Sequence, residues 1–148
     1  RKAAMADRVA KAVGGSLQGK RIGVLGLTFK PNTDDKRDAP SIPLVKRLLE
    51  QGAVVTGFVP VGHAQAEPLL PGIAFAPNAY AAAEGADALV IVTEWDEFRA
   101  LDLAQLAASM RGKALIDLRN VYDRVEAERA GLIHFGVGRG KGPFDGRS

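Results

Sequence analysis

The sequence predicts an α/β fold, a doubly wound parallel sheet of about six strands with helices on both faces. Short apolar runs without polar alternation recur along the chain, as expected of strands that are buried on both faces of a parallel sheet. Amphipathic segments with helical spacing separate these runs, and such an alternation implies right-handed strand–helix–strand crossovers. At 148 residues the chain is also long enough to bury one core.

The first predicted element is a helix that ends at two consecutive glycines, Gly14 and Gly15, a common helix stop. The helix has no obvious beginning. We therefore expect residues 1–15 to be the end of a longer, central helix that enters from a preceding domain. The chain opens with Arg1 rather than Met, which favours the same interpretation.

The first strand is the apolar run RIGVLGL at 21–27, and the segment SIPLVKRLLEQGA at 41–53 forms the next helix. Pro43 is acceptable only near a helix start, where its missing amide would have no intrahelical partner. This places the N-terminus of the helix close to Asp38 or Ser41.

The rest of the chain continues the alternation. Asn78 is a good N-cap for one helix, and Gly131 ends another. The remaining strands are predicted at 53–58, 72–76, 87–93, 113–120 and 132–137. The remaining helices are predicted at 63–70, 78–86 and 123–131, and the stretch 95–112 is predicted to hold a helical turn and then a helix. Six strands fit a Rossmann-like order. We expect one Rossmann-like domain over 20–139, followed by a Gly-rich, polar and mobile tail at 140–148.

Composition excludes several classes of function. The chain has no cysteine, which rules out disulfides, thiolate metal sites and a cysteine nucleophile within it. The net charge of +3 comes from scattered basic residues rather than a patch, so nucleic-acid binding is disfavoured. Because no apolar run is long enough to cross a bilayer and no signal peptide opens the chain, we expect a cytoplasmic protein with no membrane partner.

The segment after the first strand departs from the usual dinucleotide-binding pattern. Gly23 and Gly26 lie within or at the end of the strand, and no third glycine opens the following helix. A pyrophosphate therefore cannot approach the backbone closely, and side chains would have to bind it. Lys30 offers a compact charge, Arg37 a planar fork suited to phosphate or ribose oxygens, and Phe29 a flat apolar surface.

Two observations weigh against standard NAD binding and against a strongly electropositive loop. The second strand ends in Phe58, Val59 and Pro60, where a dinucleotide fold usually supplies an acid to the ribose. Between 30 and 38, three basic residues are matched by three aspartates. The alternative is that these acids only complement and cap the start of the next helix, the interpretation we favour for Asp38.

Three stretches carry a resemblance to a known family: GLTFKPNTDDKRDAPS at 26–41, GADALVIVTEWDEF at 85–98 and IDLRNVYD at 116–123. In order and spacing they resemble the C-terminal, UDP-binding domain of the UDP-glucose 6-dehydrogenases, in the UDP-glucose/GDP-mannose dehydrogenase family. The similarity runs from about residue 1 to Arg139. It implies a Rossmann-like fold and a polypeptide that oxidises UDP-glucose to UDP-glucuronate in two steps with two NAD.

The resemblance also implies roles for individual residues. Phe29 and Lys30 match positions that contact the UDP-sugar, and Arg37 matches an arginine that reaches NAD across a domain interface. Arg119 matches the neighbourhood of a second substrate-binding arginine, although the family varies between this position and Asn120. A surface ion pair is the alternative role for Arg119.

For the whole enzyme the family implies an NAD-binding N-terminal domain, a central helical domain and a homodimer. The catalytic cysteine precedes the UDP-binding domain, so no catalytic residue is expected in this chain and the chain should be inactive alone. The tripeptide Thr93-Glu94-Trp95 favours UDP-glucose over N-acetylmannosamine nucleotides as substrate, and Trp95 itself is interpreted as a packing residue.

Other interpretations stay open. The chain could belong to a sister dehydrogenase acting on GDP-mannose or a UDP-N-acetylhexosamine, or it could be a non-catalytic nucleotide-binding module. His63 and His134 lack metal-ligand spacing and a partner acid in the sequence, so we expect both to be structural and no metal to be bound.

Overall fold

A computed structural model of the chain describes residues 4–26, 41–58, 72–92, 98, 100–117 and 121–136. Helices and strands alternate along these residues. In chain order they are α1 Ala4–Ala12, β1 Arg21–Leu25, α2 Ser41–Glu50, β2 Val54–Phe58, β3 Ala74–Phe75, α3 Ala79–Ala83, β4 Ala88–Ile91, α4 Leu103–Ser109, β5 Ala114–Asp117, α5 Arg124–Arg129 and β6 Ile133–Gly136.

The six strands form one sheet in the order β3-β2-β1-β4-β5-β6, and every neighbouring pair is parallel. The order runs outward from β1 in one direction and from β4 in the other. This is the doubly wound order of a Rossmann-like fold, so the predicted fold class is confirmed. The direction of winding reverses between β1 and β4, and the carboxyl ends of those two strands flank the reversal.

Buried apolar side chains pack on both faces of the sheet because successive residues of a strand point to opposite sides. In β4, Ala88 and Val90 join a cluster with α1 and α2, whereas Leu89 and Ile91 join a cluster with α3, α4 and α5. Helices therefore cover both faces, as predicted. All four β4 residues are buried, which is why this segment is an unbroken apolar run in the sequence.

Several predicted boundaries were too long. β1 ends at Leu25 instead of residue 27, and the third strand comprises only Ala74 and Phe75 instead of 72–76. β3 is the last strand of the sheet and pairs with β2 alone, so fewer of its residues are held in a ladder. The predicted helix at 63–70 and the tail at 140–148 lie outside the described residues.

Two predicted helix signals, the N-cap at Asn78 and the stop at Gly131, are confirmed, whereas α3 ends at Ala83 and not at residue 86, and α4 ends at Ser109 and not at residue 112. The Asn78 side chain accepts a 2.8 Å hydrogen bond from the Ala81 amide, which caps α3 as expected. Gly131 follows α5, and its amide donates to the carbonyl of Glu128.

Hydrogen bonds and an ion pair connect the strands at the amino edge of the sheet. The Arg21 amide donates to the Asp87 carboxylate at 2.9 Å, and the Asp87 amide donates to the Arg21 carbonyl at 2.7 Å. Arg111, in the turn before β5, lies 3.4 Å from the same carboxylate. These contacts tie the starts of β1, β4 and β5 together. No helix among the described residues is both long and apolar enough to cross a membrane.

Gly23, in the middle of β1, allows α3 to lie directly against the sheet. A Cβ atom at this position would come within 2.6 Å of the Ala82 carbonyl oxygen and 2.8 Å of a Leu89 methyl carbon. The first of these atoms belongs to the backbone and cannot rotate away. Glycine is therefore required at position 23 because α3 packs against it, and not because a phosphate binds there.

We expect the substitution Gly23→Ala to lower the free energy of unfolding by about 3 kcal/mol, the upper end of the usual cost of overpacking. Urea denaturation checks this. Gly19→Ala is the control, because the added methyl group meets nothing within 4 Å and only the backbone conformation, at φ +75°, opposes it. That control should lose about 1 kcal/mol. Equal losses in the two variants would mean that the contact with α3 does not set the cost.

Candidate functional site

The carboxyl edge of the sheet begins at the reversal between β1 and β4. Leu25 and Ile91 are register partners there, and the Val92 amide continues the ladder by donating to the Leu25 carbonyl at 3.0 Å. Gly26 is buried, with φ at +95°, and its amide donates to the carbonyl of Phe58. This left-handed conformation favours glycine and turns the chain out of the sheet at the reversal.

The residues predicted to bind ligands, Phe29, Lys30, Arg37 and Arg119, lie outside the described residues. So do the neighbouring positions Val59, Pro60, Thr93, Glu94, Trp95 and Asn120, as well as His63. The structure describes where their segments leave the sheet: 27–40 follows β1, 93–97 follows β4, and 118–120 follows β5. These three strands are neighbours, and strands lie about 4.8 Å apart, so the carboxyl ends of the three strands lie within about 10 Å of one another.

Asp117 is the last residue of β5 and the residue before the 118–120 segment. It is fully buried. Its Oδ1 accepts a hydrogen bond of 2.9 Å from the Val121 amide, and its Oδ2 accepts one of 2.8 Å from the Tyr122 amide. The side chain thus joins the two sides of the segment that contains Arg119.

His134 on β6 also contacts this carboxylate, with Nε2 3.1 Å from Oδ2 of Asp117. The expectation that His134 lacks a partner acid was therefore wrong. The register pairs Leu115 with His134, and Asp117 lies two residues further along β5, so both side chains point to the same face. The two residues are 17 positions apart and show no local motif, so only the register of β5 against β6 brings them together.

The hydrogen bonds keep the Asp117 carboxyl ionised. Burial by itself would raise its pKa, but hydrogen bonds from His134, Tyr122 and Val121, together with the charge of a protonated His134, lower the pKa below the ordinary value of 3.8. An ionised carboxylate accepts hydrogen bonds at both oxygens. At neutral pH the group can therefore hold all three donors at once.

Tyr122 extends the network to the neighbouring loop. Its hydroxyl donates to the backbone carbonyl of Phe98, and both side chains are buried. The Phe98 ring contacts Phe58 at the end of β2, with ring centroids 6.4 Å apart and planes tilted by 55°. This aromatic contact stabilises the chain at Phe98 against the carboxyl end of β2.

An open groove of about 610 Å³ lies beside this edge, between the starts of α4 and α5. Its lining includes three acidic residues, Asp102, Asp123 and Glu126, and one basic residue, Arg129. Three carboxylates make this groove unfavourable for a phosphate group. Among the residues that the structure describes, no group of three or more acidic, histidine or cysteine side chains could hold a metal ion.

Comparison with known proteins assigns the chain. Residues 23–124 match the model of the UDP-glucose/GDP-mannose dehydrogenase family, UDP binding domain. The chain belongs to this family. The matched range includes the three segments at the carboxyl edge, 27–40, 93–97 and 118–120.

Two curated relatives agree with this family assignment. The chain is 50% identical to a UDP-glucose 6-dehydrogenase of Rhizobium meliloti (strain 1021) over 139 residues, which are 94% of this chain and 32% of that protein. It is 43% identical to a UDP-glucose 6-dehydrogenase of Pseudomonas aeruginosa over 131 residues, 29% of that protein. The chain thus spans about a third of the length of these curated relatives.

A solved structure of a UDP-glucose dehydrogenase from Pyrobaculum islandicum superposes with a TM-score of 0.69 at 30% identity, covering 90% of this chain and 28% of that one. This structure shares the Rossmann-like fold predicted from the sequence. A solved structure of an NDP-N-acetyl-D-galactosaminuronic acid dehydrogenase from Methanosarcina mazei Go1 superposes with a TM-score of 0.73 at 26% identity, covering 93% of this chain and 29% of that one.

Proposed function

We propose that this chain is the C-terminal UDP-binding domain of a UDP-glucose 6-dehydrogenase, a cytoplasmic enzyme that oxidises UDP-glucose to UDP-glucuronate for polysaccharide biosynthesis. The observation that carries the proposal is the family match over residues 23–124, a match to a UDP-binding domain. The 50% identity to a UDP-glucose 6-dehydrogenase supports the choice of substrate.

In this proposal the nucleotide binds at the carboxyl edge of the sheet, at the reversal between β1 and β4, where ligands bind in doubly wound folds. Phe29, Lys30 and Arg119 contact the UDP-sugar. Each belongs to a segment that follows a strand at this edge: β1, which flanks the reversal, or β5, which is the neighbour of β4. Charged side chains then replace the glycine-rich backbone that other nucleotide folds offer to phosphates.

The remaining parts of the enzyme come from other domains of the same polypeptide. An N-terminal domain binds most of the NAD, which accepts hydride in each oxidation, and Arg37 reaches that cofactor across the interface. In this proposal residues 1–15 belong to the end of a central helix and 20–139 to the UDP-binding domain, and 140–148 follow that domain. The complete enzyme is a homodimer.

Calorimetric titration of the chain with UDP, UDP-glucose and GDP tests this function. UDP and UDP-glucose should bind, and GDP should bind at least tenfold more weakly, because the site is matched to uridine. The same titration of the complete polypeptide is the control for a pocket that is finished by another domain. Absence of UDP binding in both proteins would overturn the proposal.

A sister nucleotide-sugar dehydrogenase is the second candidate. The structural similarity to the NDP-N-acetyl-D-galactosaminuronic acid dehydrogenase from Methanosarcina mazei supports this candidate. Tighter binding of GDP, or oxidation of a UDP-N-acetylhexosamine in preference to UDP-glucose by the complete polypeptide, would favour it.

A further inference from the structure

We propose that Asp117 and Tyr122 are positioning residues of the nucleotide site: together they fix Val121 and the chain at Phe98, which follow the 118–120 and 93–97 segments, against the end of the sheet. The inference rests on the proposed function, because it assigns these residues a role in binding UDP. Neither residue touches the nucleotide in this proposal. They act through Arg119 and through the neighbouring 93–97 segment.

The first step of the argument is how the Asp117 carboxylate is used. Its two oxygens accept the amides of Val121 and Tyr122, which lie four and five residues further along the chain. His134 supplies a third contact from β6. The carboxylate thereby pins Val121 to the end of β5, so the described residues on both sides of 118–120 are fixed to each other.

The second step excludes an ordinary helix cap. α5 begins at Arg124, and its N-cap residue is Asp123, which makes no side-chain capping hydrogen bond. The amides that Asp117 binds belong to residues before the helix. A capping role would place the carboxylate on the first amides of the helix itself. The hydrogen bonds of Asp117 therefore fix the loop before α5 and do not cap α5.

The third step connects two loops. Tyr122 carries one of the amides held by Asp117, and its hydroxyl donates to the carbonyl of Phe98, the described residue after the 93–97 segment. β4 and β5 are neighbours in the sheet, and Phe98 and Val121 are the first described residues after the segments that follow these strands. One buried network therefore connects the chain at Val121 and Tyr122 to the chain at Phe98.

The substitutions Asp117→Asn and Tyr122→Phe test the proposal. Asparagine keeps the shape of the side chain but turns one acceptor oxygen into a donor that opposes an amide. Phenylalanine removes only the hydroxyl bond to Phe98. Because a loop displaced slightly from its binding position loses much of its contribution, each variant should bind UDP about tenfold more weakly in calorimetric titration.

The control variant is Leu132→Ala. Leu132 is buried in the same cluster as Tyr122 but lies at the amino end of β6, away from the nucleotide edge. Its truncation should lower the unfolding temperature and leave the dissociation constant of UDP unchanged. In steady-state assays of the complete polypeptide, the two positioning variants should raise KM for UDP-glucose and leave KM for NAD unchanged. A general loss of stability would not separate the two substrates in this way.

The outcomes separate the two proposals. If the unsubstituted protein binds UDP and both variants bind it equally well, the positioning role is overturned and the proposed function stands. If Asp117→Asn does not fold, Tyr122→Phe decides: weaker binding supports the role, and unchanged binding overturns it. If the unsubstituted chain and the complete polypeptide both fail to bind UDP, the proposed function and this inference fall together.

Discussion

The 148-residue chain alone is expected to reduce no measurable NAD in the presence of UDP-glucose, whereas the complete polypeptide should form two NADH per UDP-glucose consumed. The chain contains no cysteine. Oxidation of the intermediate aldehyde without its release needs a thiol that forms a thiohemiacetal, and no such nucleophile is present. The isolated chain lacks both the catalytic thiol and the domain that binds NAD, the hydride acceptor. We therefore expect no turnover at all.

NADH absorbance at saturating UDP-glucose and NAD measures this difference directly. The complete polypeptide with its catalytic cysteine changed to serine is the matched control, since it keeps both nucleotide sites and lacks only the thiol. NADH formation by the isolated chain at a rate near that of the complete enzyme would contradict the proposed division of labour.

Lys30→Ala is expected to weaken UDP binding by about 10- to 100-fold. A hydrogen bond that involves a charged group contributes about 1.5–3 kcal/mol, and each 1.4 kcal/mol corresponds to a factor of ten in affinity. The effect should be large because no glycine-rich turn is available to hold the phosphates in place of this side chain. Calorimetric titration with UDP at constant ionic strength measures it.

Lys46→Ala is the matched control for Lys30→Ala. Lys46 is exposed on α2 and carries the same charge, so its removal changes the net charge equally without touching the edge of the sheet. The control should leave the dissociation constant of UDP unchanged, and both variants should unfold at the temperature of the parent chain. If both substitutions weaken binding alike, Lys30 acts only through the overall charge and does not contact the phosphate.

The fold could be predicted from the sequence because the apolar runs are local. Each buried strand, β4 most clearly, is a short run that needs no partner to be recognised. The ends of strands depend on pairing instead: β3 has one neighbour and retains only two residues, Ala74 and Phe75. Pairing of this kind is set by tertiary structure, which is why the predicted boundaries were less accurate than the strand order.

The candidate site was predictable in part. The segment with Lys30 was recognised from charge and from the absent glycines, and its residues stay predictions. The network of Asp117, Tyr122 and His134 was missed because it depends on strand register and on a hydroxyl that reaches another loop. A histidine and an aspartate separated by 17 positions come together only once β5 and β6 are aligned.

The contacts of Arg21, Asp87 and Arg111 have an evolutionary meaning. They brace the amino edge of the sheet, opposite the carboxyl ends that the segments 27–40, 93–97 and 118–120 follow, with backbone amides and one carboxylate, so the scaffold does not depend on what those segments contain. Natural selection can then exchange one nucleotide sugar for another by rewriting a few residues on the far rim. Divergent substrate preferences within a single architecture are the natural outcome of that separation.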